Sequence, residues 1–170
     1  EQEDPVIAPA PEILDIEVST ICNGLGAPCK WCYKSNTRVG ENMSFAVFKA
    51  ILDKMPENLT QVAFGIGDLE ANPDLFTMFQ YCREKGVIPN LTINGWKLSD
   101  EDAYELKRLC GAVAVSRYHP KSVCYEAVDK LTHIGMTQVN IHQLVSRETL
   151  GNCMETIQDA QTDPLLKKLN

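Results

Sequence analysis

The sequence predicts an α/β protein built on a parallel sheet, and three observations predict it. Five apolar segments of strand length alternate with amphipathic segments of helix length along the 170 residues. Glycines stand where three of the helical patterns stop, at Gly86, Gly111 and Gly135. The strands are apolar on one side only, because side chains alternate between the two faces of a strand. A doubly wound sheet, covered by helices on both faces, has strands that are apolar throughout. Here helices cover one face and the other lines a polar interior. A closed TIM barrel packs that interior with Val, Ile and Leu. A polar interior implies instead a lumen or trough filled by polar ligand and water.

The elements follow in order. The first strand covers 14–19, with Leu14, Ile16 and Val18 opposite Asp15, Glu17 and Ser19. A helix over 43–55 sets Phe45, Phe48, Ile51, Leu52 and Met55 on one face, capped by Ser44. The second strand covers 61–65. A helix over 73–85 begins at Asn72-Pro73, a cap and first-turn pair. The third strand, 88–94, alternates Leu91 and Ile93 with Asn90, Thr92 and Asn94. A helix over 100–110 follows Ser99, with acidic residues in its first turn. The fourth strand, 112–116, sets Val113 and Val115 against Ala114 and Ser116. A helix over 123–134 follows Ser122. The fifth strand, 138–145, sets Val139 and Ile141 against Asn140 and His142, before a last helix over 148–161. Residues 1–12 read as an acidic, Pro-rich lead-in and 13–170 as one domain.

Composition bounds the function. Hydrophobic residues make up 44% and charged residues 23%, enough apolar side chain for one real core. The net charge of −7 argues against nucleic acid or an anionic membrane as the main partner. No apolar run spans a membrane and no signal peptide opens the sequence. Seven cysteines without secretory features indicate a reducing compartment, the cytoplasm, with free or metal-bound thiols. Cys82, Cys110 and Cys153 fall on apolar helix faces and read as core, and Cys124 reads as structural.

The other three cysteines share one loop. Cys22, Cys29 and Cys32 have the spacing C-x6-C-x2-C, directly after the first strand. About 23 residues separate that strand from the next helix, and structureless connections beyond roughly 12–15 residues are commonly functional. Structural zinc and iron–sulfur sites ordinarily take four protein ligands. Three thiolates leave one metal position open. Gly24, Gly26 and Pro28 suit a backbone wrapped closely round a cluster. Two other readings stay open on the residues alone. Cys29-Lys-Trp-Cys32 has the form of a thioredoxin-like redox pair, and His119 or His142 could complete a zinc site.

With these residues in place, the chain resembles the radical S-adenosylmethionine (SAM) superfamily. Its hallmark is a three-cysteine loop of spacing C-x3-C-x-Φ-C after the first strand of a partial (β/α)6 barrel. Cys29-Lys30-Trp31-Cys32 matches the second half, with Trp31 as the aromatic residue. The first gap is six residues rather than three. Phe64-Gly-Ile-Gly-Asp-Leu-Glu-Ala-Asn-Pro-Asp-Leu75 is similar to the family's glycine-rich segment, with Asp68 where glutamate is usual. The resemblance covers residues 14–161 and implies five βα units of the family's six, as a fragment or a reduced barrel. It implies that Cys22, Cys29 and Cys32 hold a [4Fe–4S] cluster whose free iron binds SAM. It further implies SAM contacts from Trp31, Gly65, Gly67, Asp68, Asn94, Ser116, Arg117 and His142. A low-potential electron donor would be a partner. The resulting 5′-deoxyadenosyl radical would abstract hydrogen from a substrate, with a peptide or protein as the first expectation and glycyl-radical activation of a partner enzyme as the second. The alternative is a noncatalytic iron–sulfur or zinc protein with a degenerate SAM site.

Overall fold

A computed structural model describes residues 10–27, 29, 32 and 34–169. Five strands, β1 (Ile13–Glu17), β2 (Gln61–Gly65), β3 (Ile88–Ile93), β4 (Val113–Ser116) and β5 (Val139–His142), form one sheet in sequential order. Every neighbouring pair is parallel. Helices α1 (Phe45–Leu52), α2 (Leu75–Glu84), α3 (Asp100–Leu109) and α4 (Lys121–His133) make the crossovers, and α5 (Leu150–Thr162) follows β5. This is a partial (β/α) barrel. The sequence placed the elements to within a few residues, and one start is corrected. α4 begins at Lys121 after Pro120, so Ser122 lies inside its first turn rather than capping it.

Helix ends follow local chemistry. Ser44 Oγ accepts from the Val47 amide and Ser99 Oγ from Asp102, each satisfying one orphan donor of a first turn. Asn72, expected to cap α2, does something else. It is 3% exposed, and its Nδ2 donates to the carbonyls of Val18, at 2.8 Å, and Met43, at 2.9 Å. Its Oδ1 accepts from the Asp74 amide. Asn72 therefore ties the exit of β1 and the entry of α1 to the loop before α2. Replacing Asn72 with leucine removes three hydrogen bonds at this junction, with the Val18 carbonyl keeping only the Met43 amide, and is expected to destabilise the fold by about 2–4 kcal/mol. Thermal unfolding followed by circular dichroism should fall by roughly 5–15 °C.

The core lies entirely on the helix side of the sheet. Ile16, Val62, Phe64, Leu91, Ile93, Val113, Val115 and Val139 point into it with Phe48, Leu75, Met78, Phe79, Leu106, Val128 and Leu131 from the helices. Phe64 packs edge-on to Phe79 at 4.7 Å between ring centroids, and Phe48 lies 5.3 Å from Phe64. The opposite face carries Asp15, Ala63, Gly65, Asn90, Thr92, Ala114, Ser116, Asn140 and His142, which border one cavity of about 770 Å³. The expected division into an apolar outer face and a polar lumen is what the register builds. Among the described residues, no helix is long and apolar enough to cross a membrane.

Candidate functional site

The long connection after β1 folds back along its own start. Thr37 donates its amide to the Thr20 carbonyl and Cys22 donates to that of Thr37, while Thr20 donates to Glu41 and Met43 to Val18. This two-stranded stem holds the cysteine segment above the C-terminal edge of the sheet, where α/β barrels carry their chemistry. Two sulfurs meet backbone donors. The Gly24 amide lies 3.2 Å from Cys22 Sγ, and the Asn36 amide 3.4 Å from Cys32 Sγ. Such donors favour the thiolate and tune iron–sulfur potentials.

Cys22, Cys29 and Cys32 all border this cavity and none is in a disulfide. Burial pushes the Cys22 thiol up to about 11, with the Asp68 carboxylate adding to the shift and the Gly24 amide opposing it. Burial also raises Cys29, with Cys32 and Asp68 contributing. Thiols of this kind release their protons to solvent when a cation binds, because the cation supplies the missing positive charge. Among the described residues, no three His, Cys, Asp or Glu side chains are grouped to hold a single metal ion. A multi-iron cluster places its thiolates farther apart, and three free cysteines on one loop around one cavity are a donor set that fits it. Cys82 and Cys124 are unlike them: they are buried in the core, and burial pushes both up to about 12.

The end of β2 is built to let the loop come close. A Cβ on Gly67 would stand 2.6 Å from Cys22 Sγ, and one on Gly65 would stand 2.5 Å from Lys34 Nζ and 2.7 Å from Glu17 Oε2. Lys34 forms an ion pair of 2.5 Å with Glu17, fastening the far side of the loop to β1. Asp68 does not cap the short 3₁₀ turn that follows it. Its Oδ2 accepts from the Asn23 amide at 2.6 Å and from Asn23 Nδ2 at 2.8 Å. Its Oδ1 accepts from Asn94 Nδ2 at 2.8 Å, with Cys22 Sγ 3.6 Å away.

The remaining expectations divide. Gly65, Gly67, Asn94, Ser116 and His142 all border the cavity with the cysteines. His142 Nδ1 lies 3.2 Å from Thr92 Oγ1, a contact that spans β4 because Ala114 and Ser116 there are small. Trp31 lies outside the described residues. Arg117, expected to contact SAM, points the other way. Its side chain is fully buried, with Nη2 2.6 Å from Glu155 Oε2 and Nη1 donating to the Tyr118 carbonyl. Lys121, Tyr125 and Asp159 complete a polar joint between α4 and α5. The physical reason is alternation carried past the strand: Ser116 and Tyr118 face the lumen, and Arg117 between them cannot. Tyr118, which the sequence reading passed over, borders the cavity and burial pushes its phenol up. Period two extended by two residues would have found it. Asn23 and Lys34 carried no such signal, because their roles depend on how the loop folds back.

No family model matches the sequence. The chain is 32% identical over 148 residues to the tungsten-containing aldehyde ferredoxin oxidoreductase cofactor-modifying protein of Pyrococcus furiosus, across 81% of this chain and 40% of that protein. Its fold superposes on the solved structure of native anSMEcpe with bound AdoMet and Cp18Cys peptide, with a TM-score of 0.61 and 16% identity, over 88% of this chain and 47% of the other. The chain thus spans less than half the length of either protein. A one-sided parallel sheet with three cysteines on the loop after β1 is the arrangement that the radical SAM resemblance implies.

Proposed function

We propose that this chain is the core of a radical SAM enzyme that uses a [4Fe–4S] cluster and SAM, and draws electrons from a low-potential donor. The observation that carries the reading is the convergence of Cys22, Cys29 and Cys32 with the Gly65–Gly67 edge on one cavity that Asn90, Thr92, Ser116, Asn140 and His142 also border. The cluster, when bound, supplies the electron that splits SAM into methionine and a 5′-deoxyadenosyl radical. The protein's own tasks are binding, orientation and exclusion of water. The three thiolates would hold the cluster and leave one iron for SAM. Gly65 and Gly67 allow backbone to approach SAM without a Cβ in the way. Ser116, Tyr118, Asn140 and His142 offer hydrogen bonds along the wall, with His142 steadied through Thr92.

For the substrate we favour a peptide or protein. An open trough that sets Asn90, Thr92, Asn140 and Gln143 among apolar side chains suits backbone amides and side chains of a peptide, and the anSMEcpe structure holds a peptide. A second reading has a specific support: the Pyrococcus relative is named for modifying an enzyme's cofactor, so a bound organic cofactor is the competing substrate class. The deciding experiment is electron paramagnetic resonance of anaerobically reconstituted, reduced protein with and without SAM. The expected result is a [4Fe–4S]⁺ signal that shifts on adding SAM, with 5′-deoxyadenosine formed on turnover. A cluster signal indifferent to SAM would assign the chain to a noncatalytic role. Zinc in place of iron would overturn the reading.

A further inference from the structure

The six residues between Cys22 and Cys29 need an anchor that a shorter loop does not. Such a spacer has more conformations to lose, and its first ligand would wander without a fixed point. The structure supplies two anchors. Asp68 receives both the amide and the side-chain amide of Asn23, and Arg38 Nη2 donates to the Gly26 carbonyl at 2.7 Å. Asn94, at the end of β3, donates to the second oxygen of Asp68 and accepts from the Trp96 amide. Both carboxylate oxygens are therefore engaged by protein donors. Gly24 is buried, and Cys22 sits between the Gly24 amide and Gly67. The same three side chains, Asn23, Asp68 and Asn94, also line a second cavity of about 440 Å³ on the far side of the loop.

We infer that Asn23, Asp68 and Asn94 form a latch that positions Cys22 for the cluster, and that Asp68 acts in this chain as a loop anchor. The inference rests on the reading of the cysteines as cluster ligands. It gives the aspartate at position 68 a physical reason. Gly67 brings the loop so close that the shorter carboxylate reaches Asn23 directly, and an added methylene would carry it past. Asn23, Asp68 and Asn94 are positioning residues in this scheme.

The test compares Asp68→Asn, Asn23→Ala, Asn94→Ala and the Asn23→Ala/Asp68→Asn double variant in the full chain. The first readout uses metal-free protein: hydrogen exchange at the Asn23 and Gly24 amides. Asp68→Asn replaces an acceptor of two Asn23 donors and should speed exchange roughly tenfold. Asn23→Ala and Asn94→Ala each remove one bond to Asp68 and should speed it by about threefold. The double variant should match Asp68→Asn alone, since the pair acts as a unit. The second readout is the rate of cluster loss to an iron chelator in the absence of SAM, followed by absorbance, which should rise in the same order. Melting temperatures close to the wild type separate a loosened loop from a loosened fold. Unchanged exchange in Asp68→Asn, or additive effects, would overturn the latch. Asn23 is exposed, so Asn23→Ala keeps the test decisive if Asp68→Asn does not fold. Failure of the wild type to take up a cluster would sink the functional reading and leave the exchange result standing on its own.

Discussion

Serine in place of any one of Cys22, Cys29 and Cys32 is expected to abolish SAM cleavage and to leave the protein folded. Losing groups that merely support a metal ligand weakens metal binding about 10–100-fold. Losing a ligand itself should exceed that, so cluster content measured as iron per chain should fall by at least roughly a hundredfold in affinity. All three cysteines are only partly buried, and their loop lies above the sheet rather than in the core. The melting temperature of each metal-free variant should therefore match that of the metal-free parent, with stability changed by less than about 1 kcal/mol. Cys82→Ser gives the opposite pattern. Its sulfur is in the core against the helices. A hydroxyl there has to be buried without a ready partner, which costs about 1–3 kcal/mol, while the cluster should still load. A variant of Cys22, Cys29 or Cys32 that keeps a full cluster and SAM cleavage would remove that residue from the ligand set.

Gly67→Ala is expected to damage both the fold and the cysteine site. The added Cβ would stand 2.6 Å from Cys22 Sγ, and both groups are held by backbone that cannot swing aside. Either the loop lifts away from β2 or β2 bends. We expect a loss of about 1–3 kcal/mol in stability together with loss of the reconstituted cluster's absorbance. Gly151→Ala is the matched control. A Cβ there meets nothing within 4 Å, and the residue lies in α5. Alanine should raise stability by roughly 0.5–1 kcal/mol, as usual in a helix. Denaturant unfolding and iron content measured on the pair check both signs. Equal behaviour of the two variants would show that the close approach of Gly67 to Cys22 has no consequence.

Much of this architecture was legible in the sequence because it follows from short-range rules. Alternation in β1, β3, β4 and β5 assigned Asp15, Asn90, Thr92, Ser116, Asn140 and His142 to the lumen, and all of them border the cavity. Ser44 and Ser99 announced helix starts through their own side chains. Errors arose where one residue had two physical outlets. Asn72 looked like a helix cap, yet its amide is better used on two carbonyls brought near by the fold. Arg117 looked like an anion ligand beside a site, yet it is turned to the helix side, where Glu155 meets it.

The sequence by itself determined the class: strand and helix order, a sheet with one polar face, and three cysteines on a loop after β1. These depend on period, spacing and side-chain chemistry, which are local. Only the tertiary structure decided how that loop is held. The Asn23–Asp68 contact joins residues 45 apart, the Glu17–Lys34 pair crosses a folded-back stem, and Arg117 finds Glu155 38 residues on. The first exists because parallel crossovers bring distant strand ends to one edge, and the other two because a loop and a helix pack back on the strand before them, juxtapositions that no window of sequence contains.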